Sequence, residues 1–226
     1  MHKLINITKL GMVAGGCCLL LLVNACGTVH DDDPVVQPKA LEEAQTFVFT
    51  CTEGYEFVAR IENETAWLFL PTETLKAQKS VDQSYRAAGV SLWLEEEHTL
   101  LERSDGSRMV CRNNRSRAIW EHAKLNGADF RAVGNEPGWQ LEIRDQTKLV
   151  LVTGYGAELR EFNLPAPKSD TEARMTRYEI VEAEDSVLLT ITGEACRDTM
   201  SGEVFASKVE VVLNGNLLRG CGRALH

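Results

Sequence analysis

The chain has 226 residues, enough for one large domain or two small ones, and 44% of them are hydrophobic, an ordinary fraction for a globular protein. The formal charge is −9, and residues 1–25 contain two Lys and no acidic residue, so the remainder carries 33 acidic against 22 basic side chains, a net charge of −11. Such an acidic chain disfavours nucleic acid as a partner and favours a cationic one.

The start of the chain has the pattern of an export signal. His2, Lys3 and Lys9 give a weakly basic beginning, and the 14 residues from 10 to 23 are uncharged and mostly apolar. This length suits the core of a signal peptide and is short for a transmembrane helix, which needs about 20 apolar residues.

A lipidation motif follows the apolar stretch. The sequence Val23-Asn24-Ala25-Cys26 resembles a bacterial lipobox, whose usual form is Leu-Ala-Gly-Cys. The resemblance implies that residues 1–25 are removed and that Cys26 is acylated, which would attach the protein stably to a lipid bilayer. Gly27 rather than Asp follows the cysteine, so we expect the outer membrane rather than retention in the inner membrane. A plain secretory signal or a short membrane anchor is the alternative.

Residues 26–44 are predicted to be the lipidated cysteine and a flexible tether. Asp31-Asp32-Asp33, Pro34 and Pro38 leave this segment with almost nothing to bury. Segments of this composition stay extended and solvated.

The cysteines indicate an oxidising compartment. Four remain after the signal peptide is removed and Cys26 is acylated: Cys51, Cys111, Cys196 and Cys221. Four cysteines allow three pairings, of which the simplest joins the first two and the last two, closing loops of about 60 and 25 residues. A zinc site is the competing interpretation, but there is no Cys-x-x-Cys and His is scarce, so we expect neither a metal nor another cofactor.

Alternating apolar and polar residues predict strands with one buried face. Between the first two of these cysteines, four runs show this alternation: residues 56–61, 65–70, 90–94 and 99–102. We therefore predict a small β-domain closed by a disulfide.

Residues 45–112 contain a frame of spaced residues: Phe49-Thr50-Cys51, Gly54, Tyr85, Trp93, Leu101-Glu102 and Cys111. This frame resembles that of the membrane-bound, MliC-type inhibitors of c-type lysozyme. The resemblance implies a small antiparallel β-barrel in the cell envelope that binds a basic lysozyme.

The inhibitory loop of that family has the form Ala-Ser-Gly-x-Arg-Tyr, and its Ser enters the lysozyme cleft. When the loop is anchored on Tyr85, the family's Ser falls on Val81, its Gly on Asp82, its variable residue on Gln83 and its Arg on Ser84. A slip of one residue would offer Ser80 instead.

A second contact position also differs from the family. The family has a Lys two residues after the Trp, where it would face a catalytic carboxylate, and this chain has Glu95 there, at the start of a run of three Glu. A carboxylate placed next to another carboxylate repels it. The run is interpreted either as a solvated hairpin turn or as an acidic patch for a cationic partner, and residues 80–86 are the candidate lysozyme-contact loop.

Residues 113–127 are predicted to form a helical linker. Apolar residues between Ala118 and Leu125 recur at near-helical spacing, and Asn126-Gly127 is typical of a helix end.

Residues 128–226 alternate again and predict a second β-domain. Strands are expected at residues 139–143, 148–153, 186–192 and 208–213, and Asn214-Gly215 indicates a tight hairpin. The segments 129–139, 196–202 and 220–225 resemble a family of bacterial envelope proteins found alone or beside an MliC-like domain. That resemblance implies no particular activity.

Four polar residues in these segments are candidates for a catalytic set: Glu136, Asp198, Ser201 and Arg223. After His122 the only histidine is the terminal His226, which argues against a Ser–His dyad. We therefore expect a structural role for these residues, with ligand binding as the alternative, and no enzymatic activity.

Taken in this order, the chain is predicted to be an all-β envelope lipoprotein with two small antiparallel β-barrel-like domains joined by a short helix. The expected function is binding and occlusion of a basic c-type lysozyme. The alternative is a structural or ligand-binding lipoprotein that keeps the barrel without inhibiting lysozyme.

Overall fold

The computed structural model describes residues 44–95 and 98–226. The predictions of a signal peptide, of acylation at Cys26 and of a tether lie outside the described residues, as do Glu96 and Glu97. Among the described residues, no helix is long and apolar enough to span a membrane.

The first part of the described chain is a closed antiparallel barrel, in which each strand pairs with the next and the last returns to the first. Its strands, as described, are β1 (Gln45–Cys51), β2 (Glu56–Glu62), β3 (Thr65–Phe69), β4 (Thr74–Lys79), β5 (Tyr85–Ala87), β6 (Val90–Leu94), β7 (Thr99–Glu102) and β8 (Arg108–Asn113).

Alternate side chains along the strands fill the barrel interior. Phe49, Phe57, Leu68, Leu92 and Leu101 are almost fully buried there. Burying a side chain of this size contributes about 1.5–3 kcal/mol. The alternation that predicted half-buried strands is therefore the pattern that fills the barrel.

A single helix follows the barrel in the part of the chain that the structure describes. Helix α1 (Arg115–Leu125) begins at Asn114, whose side chain accepts a hydrogen bond from the backbone N–H of Arg117 at 3.2 Å. It ends at Asn126, before Gly127 with φ of 84°. The predicted linker helix is confirmed.

The rest of the chain forms an open, curved antiparallel sheet and a small two-stranded ribbon. Their strands, as described, are β9 (Ala128–Asn135), β10 (Gly138–Arg144), β11 (Lys148–Thr153), β12 (Glu158–Asn163), β13 (Lys168–Asp170), β14 (Met175–Glu182), β15 (Asp185–Thr192), β16 (Cys196–Arg197), β17 (Val204–Phe205), β18 (Ser207–Leu213) and β19 (Asn216–Ala224). The order in the sheet is β12-β11-β10-β9-β19-β18-β15-β14-β13, and β16 pairs with β17 in the ribbon.

The concave face of the sheet has its own apolar core, with Leu141, Leu151, Leu189, Val209 and Val211 fully buried. Both parts of the described chain are antiparallel β-structure, which confirms the predicted all-β class and the helix between them.

The position of Trp139 explains why Gly134 and Gly220 of the sheet have no side chain. Its indole ring lies across β9 and β19, and its Nε1 donates a hydrogen bond to the carbonyl oxygen of Arg219 at 3.2 Å. A Cβ on Gly134 or Gly220 would overlap this ring and the neighbouring backbone. The ring can therefore cross both strands only because neither residue has a side chain.

Both expected disulfides are present in the structure. Cys51 and Cys111 are direct partners in the register of β1 with β8, so their bond joins the strands that close the barrel. Cys196 bonds to Cys221 and ties the ribbon to β19. Of the three pairings that four cysteines allow, the structure contains the one that joins the first two cysteines and the last two.

The barrel and the sheet are packed together through the helix and belong to one compact unit. Ala118, Trp120 and Ala123 form the buried side of α1, which contacts β1 of the barrel and β9 of the sheet. His122 Nδ1 lies 3.1 Å from the hydroxyl of Thr46 on β1. The division into a domain of residues 45–112 and one of residues 128–226 stays a prediction.

Candidate functional site

The predicted contact loop connects β4 to β5 as a tight turn. The backbone N–H of Ser80 donates to the carbonyl of Ser84 at 2.7 Å, and that of Gln83 donates to the carbonyl of Ser80 at 2.9 Å. Gln83 has φ of 65°, in the left-handed region. The two hydrogen bonds fix the backbone on both sides of Val81 and Asp82.

Side chains brace the same turn. Oδ1 of Asp82 accepts the hydroxyl of Ser84 at 2.6 Å and its backbone N–H at 3.3 Å. Arg86 Nε donates to the same hydroxyl at 2.9 Å, and its guanidinium also pairs with Asp82. The hydrogen bond from the Ser84 hydroxyl is the main reason why the pKa of Asp82 lies below its usual range, with a smaller contribution from Arg86.

The braced turn leaves one apolar side chain in solvent. Val81 is 99% exposed at the tip, whereas Ser84 is fully buried and Ser80 is half-buried. Tyr85, which anchors the match to the inhibitor family, is a barrel core residue. Val81 is thus the exposed side chain of the turn, and the hydroxyl of Ser84 is held inside it.

The hairpin that holds Glu95 lies at the same end of the barrel. Tyr85, the first residue of β5, is opposite Leu92 of the antiparallel strand β6, so the turn before β5 and the hairpin after β6 lie at the same end. Glu95 Oε2 is 2.8 Å from His98 Nε2, and both side chains are about half exposed. Between loop and hairpin, the guanidinium of Arg86 lies 5.9 Å from the centre of the Trp93 ring. The predicted contact residues therefore share one rim.

In the second half, the polar residues considered for catalysis do not converge on a reaction centre. Asp198 Oδ1 accepts the hydroxyl of Ser201 at 2.7 Å and two backbone N–H groups of the same turn, and its Oδ2 accepts Asn135 Nδ2 at 2.6 Å. Burial alone would raise the pKa of Asp198, but these hydrogen bonds outweigh it and hold the pKa below its usual range. Asp198 is thus the centre of a braced turn.

Among the described residues, the other two members of that set form no hydrogen bond with Asp198 or Ser201. Arg223 pairs with Glu203 at 2.9 Å, and its guanidinium lies 4.4 Å from the ring centre of Trp120 on the helix. Glu136 is exposed in the turn between β9 and β10, next to a cis peptide bond to Pro137. Among the described residues, Arg223 of the sheet contacts both Glu203 beside the ribbon and Trp120 of the helix. These contacts join the three elements, which is a structural role.

Sequence reasoning missed a buried ion pair beneath the helix. Arg131 of β9 and Glu142 of β10 are both nearly inaccessible, and Arg144 also pairs with Glu142 at 2.6 Å. Burial lowers the pKa of Arg131, and the neighbouring Glu142 opposes that effect. Both residues alternate with apolar neighbours, so the pattern indicated a solvent-facing side and gave no sign that α1 covers it.

The chain was compared with protein-family models, with curated proteins and with solved structures, and no match was found.

Proposed function

We propose that this protein is a binding protein of the bacterial envelope, not an enzyme, and that its barrel docks on a basic c-type lysozyme. The turn at residues 80–84 would enter the cleft of the enzyme and occlude it. Acylated Cys26 would hold the protein at the outer membrane, facing the periplasm or the cell surface. The resemblance of the barrel sequence to the MliC-type inhibitors and the geometry of the turn support this proposal.

The observation that carries the proposal is the exposed Val81 on a turn whose backbone is already fixed. An isolated apolar side chain at the surface is common and needs no explanation. Here the tip is braced by the hydrogen bonds among Asp82, Ser84 and Arg86. A loop that is ordered before binding loses little conformational entropy on docking, so even a small buried contact contributes to affinity.

Charge supports the choice of partner. Residues 45–113 contain eleven acidic and seven basic side chains, and the rest of the mature chain is also acidic. Complementary charge accelerates the encounter with a cationic protein more than it strengthens the final complex. The barrel would therefore reach a basic lysozyme quickly.

The same residues predict weak binding. The cleft of a glycosidase contains a pair of carboxylic residues. Val81 cannot hydrogen-bond to them, and Glu95 would be repelled by a carboxylate in the cleft. We expect an encounter driven by charge, with a modest contribution from the tip of the turn.

Two valines allow a matched test of this geometry. Val81 is 99% exposed at the tip, and Val181 is 83% exposed on β14 of the sheet. Val81→Asp and Val181→Asp add the same charge to the chain that begins at residue 31, which contains the whole compact unit. Binding to c-type lysozyme would be measured by calorimetry for both variants.

We expect Val81→Asp to weaken binding several-fold, because it brings a carboxylate to the acidic cleft, and Val181→Asp to leave binding unchanged or slightly stronger. If both variants bind equally well, the turn is not the contact surface. If the unmodified chain does not bind, the barrel has kept its fold without inhibition.

A further inference from the structure

Two adjoining cavities lie at the end of strand β9, away from the barrel turn. One has a volume of about 330 Å³ and the other about 440 Å³, and Gly134 and Asn135 line both. Volumes of about 300–1,000 Å³ are typical of sites for small molecules. The segments at residues 129–139, 196–202 and 220–225, which sequence analysis singled out, supply most of the walls.

The smaller cavity is lined by three cations. Arg197, Lys208 and Arg219 face it, and Lys208 forms no ion pair with a carboxylate of the described residues. Arg219 pairs with Glu210 at 3.1 Å, but its side chain remains largely exposed. This concentration of positive charge is unexpected in a chain with a net charge of −11 outside its first 25 residues.

The smaller cavity also contains the carboxylates of Asp198 and Glu136. Asp198 keeps its negative charge, but both of its oxygens accept hydrogen bonds from its own turn and from Asn135. Among the described residues, neither carboxylate forms an ion pair with the three cations. Glu136 is exposed on the turn at the rim. An anionic group that entered the cavity would meet several donors and one exposed carboxylate.

The larger cavity is apolar. Tyr155 and Met200 are 82% and 80% exposed and line it together with Val152 and the edge of Trp139. Tyr155 has φ of 57°, and its ring lies against Gly138, where a Cβ would overlap it. The hydroxyl of Tyr155 donates to the carbonyl of Asn135 at 3.2 Å, which fixes the ring as a wall of the cavity.

We propose that these adjoining cavities form one binding site for a small organic anion that carries a ring or another compact apolar group. The anionic group would lie beside Lys208 and Arg219, and the apolar group would lie against Tyr155 and Met200. This site is formed by the sheet and the ribbon, and it does not depend on lysozyme binding by the barrel.

A matched pair of probes tests the two halves of the site. Indole-3-acetate and its neutral analogue indole-3-acetamide differ in charge and hardly at all in shape. Binding of each to the chain from residue 31 would be measured by calorimetry and by ligand-observed NMR. We expect the acid to bind about ten-fold more tightly than the amide, the ratio that loss of one charge-assisted hydrogen bond produces.

Substitutions in the two cavities show where each probe binds. Replacing both Lys208 and Arg219 by Gln should weaken binding of the acid about ten-fold or more and leave binding of the amide unchanged. Lys168→Gln, at the far edge of the sheet on β13, is the control for general charge and should change neither. Met200→Ser removes an exposed side chain, so the fold is kept, and it should weaken both probes.

Three results would overturn the proposal. The first is equal affinity for acid and amide. The second is that Lys168→Gln weakens binding of the acid as much as replacing Lys208 and Arg219 does. The third is binding of the acid weaker than a Kd of about 10 mM, which leaves no useful interaction energy. Each can be read without reference to lysozyme, so failure of this site and failure of the barrel proposal are distinguishable.

Discussion

Nδ2 of Asn135 donates a hydrogen bond of 2.6 Å to Oδ2 of Asp198, and this bond joins the end of strand β9 to the turn after β16. The two residues are 63 positions apart in the chain. The bond explains why two distant polar segments of the second half belong to one place in the fold. It also makes Asp198 a point where stability should depend on pH.

The first prediction concerns this carboxylate. The pKa of Asp198 is lowered in the folded protein, because hydrogen bonds from Ser201, Asn135 and Met200 outweigh the effect of burial. Its contribution to stability is therefore complete above the ordinary Asp pKa of about 3.9 and is lost as the pH falls through the lower folded value. Asp198→Asn should cost about 1–3 kcal/mol at pH 7.

Chemical denaturation between pH 7 and pH 2 measures this effect. The difference in unfolding free energy between the unmodified chain and Asp198→Asn should shrink in the acid range, below the ordinary Asp pKa. Asp170→Asn, at the exposed end of β13 where Oδ1 accepts the N–H of Ala173, is the control and should have a small effect. A difference between the chains that does not change with pH would contradict the role assigned to Asp198.

The second prediction concerns the crossing of Trp139 over two glycines. Gly134→Ala places a Cβ inside the indole ring and against the backbone of Arg219, so something in the sheet must shift. Overpacking of this kind typically costs about 1–3 kcal/mol. At Gly193 the same change meets only the end of the Arg174 side chain, which can move, and it should cost much less. Urea unfolding of the two variants gives the comparison, and equal stabilities would contradict the described position of Trp139.

The third prediction concerns attachment to the membrane. The lipobox-like sequence before Cys26 predicts that Cys26→Ser abolishes acylation and releases the protein from membranes, since a serine offers no thiol for the lipid. Incorporation of labelled fatty acid and fractionation of cells measure both effects. Lipid on the variant, or its absence from the unmodified protein, would show that the proposed anchor is wrong.

Part of this fold could be predicted from sequence because alternation is a local property. Strands β6, β7 and β11 were predicted with the bounds that the structure has, and β2, β10 and β18 to within a residue at each end. In β6, β7 and β18 buried positions alternate with more exposed ones, because one face of each strand packs on the core. The helix was predicted for the equally local reason of its spacing and its Asn-Gly end.

The missed strands have weaker alternation. In β4 the inward positions are Leu75 and the small Ala77, and β13 is fully exposed along its three residues. Strand order within the sheet and the position of the helix also could not be predicted, because both depend on contacts between distant residues. This is why the buried pair of Arg131 and Glu142 was missed.

The match of the loop to the inhibitor family stays a prediction, and it could not show which side chains of the turn are free. That match assigns Val81 and Ser84 to polar positions of the family motif. The structure exposes the first and buries the second behind Asp82 and Arg86, a difference that depends on side-chain hydrogen bonds.

The most direct test of the central claim is the salt dependence of lysozyme inhibition. The chain from residue 31 would be titrated against c-type lysozyme at low and at high salt, with hydrolysis of a neutral oligosaccharide as the readout. Attraction between exposed charges is screened beyond about 8 Å at physiological ionic strength, whereas contacts of an inserted, desolvated turn persist.

Because the predicted match assigns Val81 and Glu95 to the Ser and Lys positions of the family, we expect weak inhibition that high salt abolishes. Replacing the two together, by Val81→Ser and Glu95→Lys, should strengthen inhibition even though it makes the chain less acidic. Tight, salt-resistant inhibition by the unmodified chain would contradict the assignment of the contact residues, and no inhibition at low salt would contradict the proposed function.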